Sequence, residues 1–294
     1  MQKIILYYKF VPIKDPEAVR LWQQSLCRQL NLNGRIIIAA HGINGTLGGD
    51  VKDLKSYVRQ TRTYRPLKAM EFKWSSGASA DFPRLSVKVR PEIVTFGVPE
   101  QIKVNRRGIV GGGQKLKPRQ LHELVRQRGQ DVIFFDGRNQ FEAAIGRFKN
   151  AIIPKVRHSR DYPDELKRPE YQAIKDKPIV TYCTGGIRCE VLSTLMKQQG
   201  FKEVYQLDGG IVKYGEEYAD QGFWEGSLFV FDKRMSTTFS SQAKTIGRCS
   251  NCRKKTSNYE NCAVKSCNDL ILLCRGCAKA SRYCPPHYLV EHKA

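Results

Sequence analysis

At 294 residues the chain is long enough for two or three domains with a sizeable core. No apolar run reaches transmembrane length, and Met1 to Phe10 read as the start of a strand, so neither a spanning helix nor a secretory leader is expected. The formal net charge is +22, with an excess of base over acid in each third of the chain, so the expected partner is a polyanion, nucleic acid first, against a merely solvated basic surface.

In chain order, Ile4 to Val11 reads as a strand. Asp15-Pro16-Glu17 reads as a helix start, a capping aspartate followed by proline at the first helical position. Val19, Trp22, Leu26 and Leu30 mark one helical face, and Cys27 borders it as a core residue. Arg35 to Ala40 is a second strand. It leads into His41-Gly-Ile-Asn-Gly-Thr-Leu47, expected as a hairpin turn centred on Asn-Gly. A second helix is expected from Asp50 to Arg62, then strands near Phe72 and over Leu85 to Phe96. That order suggests a small α+β module of ferredoxin-like or acylphosphatase-like type. Its basic run Arg59, Arg62, Arg65 and Lys68 offers phosphate contacts or a solvated face. His41 reads as a structural turn residue sooner than as a catalytic or RNA-contacting one.

Residues 98–114 read as a flexible linker, with Arg106 and Arg107 as further RNA-contact candidates before a Gly111-Gly-Gly113 run. Beyond it, Val132 to Asp136 ends a strand in the polar turn Gly137-Arg138-Asn139. Pro178 to Tyr182 is a buried strand, Cys189 to Met196 a helix, and Val204 to Leu207 a further strand. Alternating strands and helices argue for an α/β domain with a parallel sheet over 115–230.

Between the strand and helix lies Cys183-Thr184-Gly185-Gly186-Ile187-Arg188. Successive backbone N–H groups of such a turn, with the helix N-terminus, make an anion cradle. The same field favours thiolate at Cys183, the reactive form, and Arg188 adds a fixed positive charge. The bland alternative is a buried structural cysteine beside a chance turn. Cys189 shares a face with Leu192 and Met196, which suits packing better than a resolving thiol.

Residues 231–294 begin with a Ser/Thr-rich transition and end in four close pairs: Cys249 with Cys252, Cys262 with Cys267, Cys274 with Cys277, and Cys284 with His287. Eight such ligands suffice for two tetrahedral zinc sites. With few apolar residues around them, metal would supply the stabilisation that burial cannot. The spacing leaves open whether the pairs combine sequentially or interleave. Ten cysteines in this pattern fit a reducing cytoplasm better than disulfides.

The elements Asp136-x-Arg138-Asn139, Glu142-x-x-x-Gly146, the cysteine loop and Leu207-Asp-Gly-Gly-Ile211 resemble the rhodanese domain. That resemblance implies a persulfide-forming Cys183; Asp136, Arg138 and Cys189 are candidates for a supporting role beside it. The loop is one residue shorter than that of related cell-cycle phosphatases, which disfavours phosphate. His41 to Thr46, Lys88 to Val94, Tyr182 to Glu190 and Phe229 to Arg234 extend the resemblance to the bacterial rhodanese-type tRNA uridine hydroxylases. His41 departs from it, standing where an acidic residue is expected.

The resemblance implies conversion of the wobble uridine of tRNA to 5-hydroxyuridine with molecular oxygen as co-substrate. From element order and charge, residues 1–97 are expected to form an acylphosphatase-like, tRNA-binding domain and 115–230 the catalytic domain, with the basic tail adding to tRNA binding. No flavin or nicotinamide motif appears, no non-haem iron triad can be assembled, and no protein partner is implied. Cys183 would act by adding to C6 of the uracil or through a persulfide or sulfenate. The competing readings are a sulfurtransferase working through a Cys183 persulfide, and a non-enzymatic RNA-binding or sulfur-carrier module.

Overall fold

The computed structural model describes residues 1–267 and 269–287; residues 288–294 of the expected tail lie outside the described residues. The chain forms two compact units, one of 1–114, 158–177 and 187–206, the other of 115–157, 178–186 and 207 onward.

The first unit opens with β1 (Gln2–Phe10), α1 (Pro16–Gln29), β2 (Asn33–Ala39), β3 (Gly42–Asp50), α2 (Val51–Thr61), β4 (Phe72–Ser75) and β5 (Leu85–Val89). Asp15 caps α1 as expected, its carboxylate accepting from the Ala18 N–H at 2.9 Å. The five strands form one sheet in the order β4-β1-β3-β2-β5. All neighbours are antiparallel except β2 and β5. One face of this sheet packs the core: Ile5, Tyr7, Ile36, Ile38 and Leu47 meet Val19, Leu26, Cys27, Leu54 and Tyr57 from the two helices. Burial pushes the Cys27 thiol up to about 12, which fits a packing residue.

Three expectations are corrected here. The turn between β2 and β3 is Ala40-His41, since Ala39 pairs with Gly42, so Asn44-Gly45 lies inside a strand. Glycine is required at 45 because the Tyr7 ring lies against the strand there; a Cβ would stand 2.2 Å from it. The strand beginning at Leu85 stops at Val89, ahead of Pro91, and does not run to Phe96. The stretch expected as a flexible linker is partly ordered as a hairpin, β6 (Val104–Asn105) with β7 (Gly108–Ile109), turning at Arg106-Arg107. Gly113 is anchored as well, its N–H donating to Ser193 Oγ at 2.9 Å and its carbonyl accepting from Gln206 at 2.9 Å.

Further along come β8 (Gln114–Leu116), α3 (Pro118–Arg128), β9 (Ile133–Asp136), α4 (Gln140–Ala143) and β10 (Gly146–Phe148). After them lie α5 (Tyr162–Glu165), β11 (Pro178–Tyr182), α6 (Ile187–Gln198), β12 (Glu203–Leu207), α7 (Gly210–Tyr218) and β13 (Trp224–Gly226). The tail adds β14 (Leu228–Phe229), β15 (Ser236–Thr237), β16 (Tyr259–Asn261), β17 (Leu270–Leu272) and α8 (Arg275–Ala280).

In the second unit β9 and β11 run parallel, Tyr182 beside Asp136, and Ile152 makes a further parallel bridge to Phe135. Around them Phe134, Phe148, Tyr182, Tyr214, Phe223 and Trp224 form a linked aromatic core. The tail packs into this unit. Tyr259 and Leu272 join Ile145 and Phe229 in one cluster, Tyr259 donates to the Phe141 carbonyl at 2.6 Å, and Arg157 pairs with Asp269 at 2.9 Å. No helix among the described residues is long and apolar enough to cross a membrane.

Candidate active site and metal centres

Strand β11 is buried at every position and delivers Cys183 at its C-terminal end. The thiol is fully buried, and the Gly186 N–H donates to its Sγ at 3.2 Å. Gly186 can turn its N–H inward because it adopts φ +97°, open to glycine and strained for other residues. The N-terminus of α7 clamps the loop from beneath. Ile211 N–H donates to the Cys183 carbonyl at 2.9 Å, and Val212 N–H to that of Thr184 at 3.0 Å. Gly210 makes the clamp possible: at φ +68°, a Cβ on it would stand 2.4 Å from the Cys183 carbonyl oxygen and 2.7 Å from the Gly186 nitrogen. The Leu-Asp-Gly-Gly-Ile string therefore shapes the loop that holds the sulfur.

Asp136 and Arg138 sit together with no exposure at all. The guanidinium donates to both carboxylate oxygens, at 2.9 and 2.7 Å, and to the Gly146 carbonyl at 2.6 Å. Burial works against the Arg138 charge, but the Asp136 carboxylate outweighs it and holds the guanidinium protonated. The Arg138 guanidinium also lies over the rings of Trp224 and Tyr182, at 5.3 and 5.9 Å. Tyr182 directly precedes Cys183. The pair thus fixes the end of the strand that carries the thiol, acting through Tyr182.

In the first unit, α6 is buried along most of its length, from Arg188 to Met196. Cys189 is fully buried within it, in keeping with a packing role. Sequence reasoning passed over Glu190. Its side chain is buried and accepts from the Tyr8 hydroxyl at 3.2 Å. Tyr8 stands on β1, so the helix that begins with Ile187-Arg188 is tied to the N-terminal sheet. The signal available in the sequence was a carboxylate between Cys189 and Val191-Leu192, in the apolar part of the helix. Of the basic run, Arg62 donates to the Met70 carbonyl at 3.0 Å and lies over the Phe72 ring. Arg59, Arg65 and Lys68 are exposed, as are Arg106 and Arg107 in their hairpin turn.

The tail ligands gather into two clusters, Cys249, Cys252, Cys274 and Cys277 in one and Cys262, Cys267, Cys284 and His287 in the other. The pairs therefore interleave, first with third and second with fourth. Ligand atoms in each cluster lie within 4.8 Å of one another. The separations Cys252 to Cys274 and Cys267 to Cys284 are both 3.6 Å, and Cys284 Sγ to His287 Nδ1 is 3.0 Å. Two sulfurs bound ~2.3 Å from one tetrahedral ion stand about 3.8 Å apart, so the donor set fits a metal. Burial opposes the Cys249 thiolate, yet backbone N–H groups of Cys252 and Cys274 bring its pKa down to about 6. Neighbouring Cys252 and Cys274 push Cys277 up to about 12, a conflict that a bound cation removes.

Three family models match along the chain: a UPF0176 acylphosphatase-like domain over 2–93, a rhodanese-like domain over 117–217, and a rhodanese C-terminal domain over 225–287. The chain is 58% identical over 276 residues to the tRNA uridine(34) hydroxylase of Corynebacterium jeikeium, covering 94% of this chain and 89% of that protein. Proteins of the same name from Arthrobacter sp. and Rhodococcus opacus are also 58% identical; they cover 95% and 94% of this chain, and 95% and 97% of their own lengths. The chain belongs to the tRNA uridine(34) hydroxylase family.

In this hydroxylase family member the rhodanese-like match contains the whole cysteine loop, its Gly209-Gly210 support and the Asp136–Arg138 pair. The C-terminal match contains all eight metal ligands. Tyr8 and the run from Arg59 to Lys68 fall in the N-terminal match, while the Arg106-Arg107 turn lies between two matches.

Proposed function

We propose that this chain hydroxylates C5 of uridine 34, the wobble position of tRNA, in the cytoplasm. The observation that carries this reading is the 58% identity along 94% of the chain to a protein named for that reaction. Cys183 is the nucleophile. Its thiolate adds to C6 of the uracil and makes C5 electron-rich, and C5 takes up one atom of molecular oxygen. The other oxygen atom leaves as water, with two electrons supplied by two external thiols that become a disulfide. Loss of the C5 proton then expels Cys183 and restores the ring double bond. The hydrogen bond from Gly186 to Sγ supports the anionic sulfur at both ends of this cycle. Arg188 acts at the rim as a fixed charge, and Asp136 and Arg138 position the strand end. The two tail clusters hold structural zinc, the metal suited to four-sulfur and three-sulfur, one-nitrogen donor sets.

The test is nucleoside mass spectrometry of tRNA treated with the pure protein, oxygen and a dithiol. Gain of 5-hydroxyuridine at position 34, absent with Cys183→Ser, is the expected result. Because the thiol sits in a rhodanese-like domain, sulfur transfer is the second reading. Gain of a thiolated nucleoside in place of the hydroxylated one would replace the first reading with it.

A further inference from the structure

Successive residues of a strand point to opposite faces, so the N-terminal sheet has a second face, away from α1 and α2. Its register sets two middle rows. Lys73, Leu6, Thr46 and Arg35 lie across β4, β1, β3 and β2 in one row; Tyr8, Asn44, Ile37 and Lys88 lie across β1, β3, β2 and β5 in the next. The rows on either side are covered. Residues 77–82 close over Ile4 and Gly48, and Ile93 closes over Gly42. The middle rows are covered only in part: Asn44 donates to the Ile93 carbonyl at 2.9 Å and the Tyr8 hydroxyl reaches α6, while Arg35 and Lys88 are exposed and the other six residues half-buried.

These rows carry three cations, one aromatic ring and no carboxylate. The Lys73 ammonium stands 5.4 Å from the centre of the Tyr8 ring. The Tyr8 hydroxyl reaches Glu190 on α6, the helix whose second residue is Arg188. A half-open sheet face with an aromatic platform and flanking cations is the arrangement on which single-stranded RNA stacks its bases and rests its phosphates.

We infer that this face binds the single-stranded stretch of the RNA substrate, with one base stacked on Tyr8 and backbone phosphates on Lys73, Arg35 and Lys88. The inference rests on the proposed action on tRNA and names the surface that presents the loop to the helix beginning at Ile187. Tyr8 serves as the platform through its ring, not through its hydroxyl.

The test is binding of full-length protein to unmodified tRNA across a salt series, with 5-hydroxyuridine formation measured in parallel. Arg35→Ala with Lys88→Ala, both exposed, should flatten the log–log salt dependence by roughly 1.4, about 0.7 for each single-strand phosphate no longer neutralised. Tyr8→Leu should weaken binding by roughly 5-fold to 150-fold, and Tyr8→Phe should bind like the parent, since the ring is what stacks. Parental affinity and salt slope in both Tyr8→Leu and the double variant would overturn the inference. So would a Tyr8→Phe loss equal to that of Tyr8→Leu, which would assign the effect to the bond with Glu190. If the parent makes no 5-hydroxyuridine while Tyr8→Leu still loses affinity, the binding face stands and the proposed reaction falls.

Discussion

Arg138 shows what a charged side chain does when it has no exposure. Its guanidinium is held by the Asp136 carboxylate and the Gly146 carbonyl. Removing one member of such a pair strands the other in the interior, at a cost of about 3–5 kcal/mol. Asp136→Asn should therefore lower the unfolding free energy by about that amount in denaturant titration, and an undiminished midpoint would show that the pair contributes little. A milder case is His41. It stacks on Phe10 and accepts from the Ile93 N–H at 3.3 Å. Burial lowers its pKa below the ordinary 6.5, with Glu92 opposing in part. The unfolded chain then binds the extra proton more readily than the native one. The stability His41 contributes is complete above pH 6.5 and is lost as pH falls through the lowered native value. Thermal melts should show this loss, and His41→Gln should flatten it; equal slopes in both proteins would remove His41 from the account. The placement of Cys183 at a strand end and of Arg188 at a helix start was legible, because an apolar β-branched run, a glycine turn and a helical pattern follow one another there. Tyr8 and Glu190 were not, because a bond between positions 182 residues apart depends on tertiary packing that local pattern does not encode.

At the level of elements, β11 emerged over the expected Pro178–Tyr182, since an unbroken apolar, β-branched run has few alternatives. The Asn44-Gly45 pair misled for the converse reason. Glycine marks both a turn and a close approach, and only the Tyr7 ring across the strand separates the two. The hairpin at 104–109 was missed because its polar side chains resemble those of a linker, while backbone pairing leaves no mark on composition. The clamp of α7 on the cysteine loop gives the element-scale prediction. Gly210→Ala forces a side chain into a positive-φ position and onto the Cys183 carbonyl. It should lower stability by about 1–3 kcal/mol and reduce 5-hydroxyuridine formation severely while leaving tRNA affinity intact. A parental turnover rate in Gly210→Ala would show that the loop tolerates displacement.

For the molecule as a whole, the division into an α+β N-terminal part, a parallel-sheet part and a cysteine-rich tail was readable from the order of periodicities and the clustering of cysteines. The combination of ligand pairs was not, because four short pairs allow several closures and only the path of the chain selects one. The observed pairing can be tested by metal content. Cys252→Ser with Cys274→Ser should leave about one ion per chain, having emptied a single centre. Cys252→Ser with Cys267→Ser should leave none. The reverse pattern, by elemental analysis, would establish sequential pairing.

The interleaving also bears on the order in which the tail can be made. The chain from Cys252 to Cys274 must loop out around Cys262 and Cys267, which wait for partners still further along. During vectorial synthesis the first centre can close once Cys277 has emerged, but the second has only half its donors until His287 is free. A ribosome paused between these points presents a nascent chain with one finished knot and two uncommitted thiols beside it.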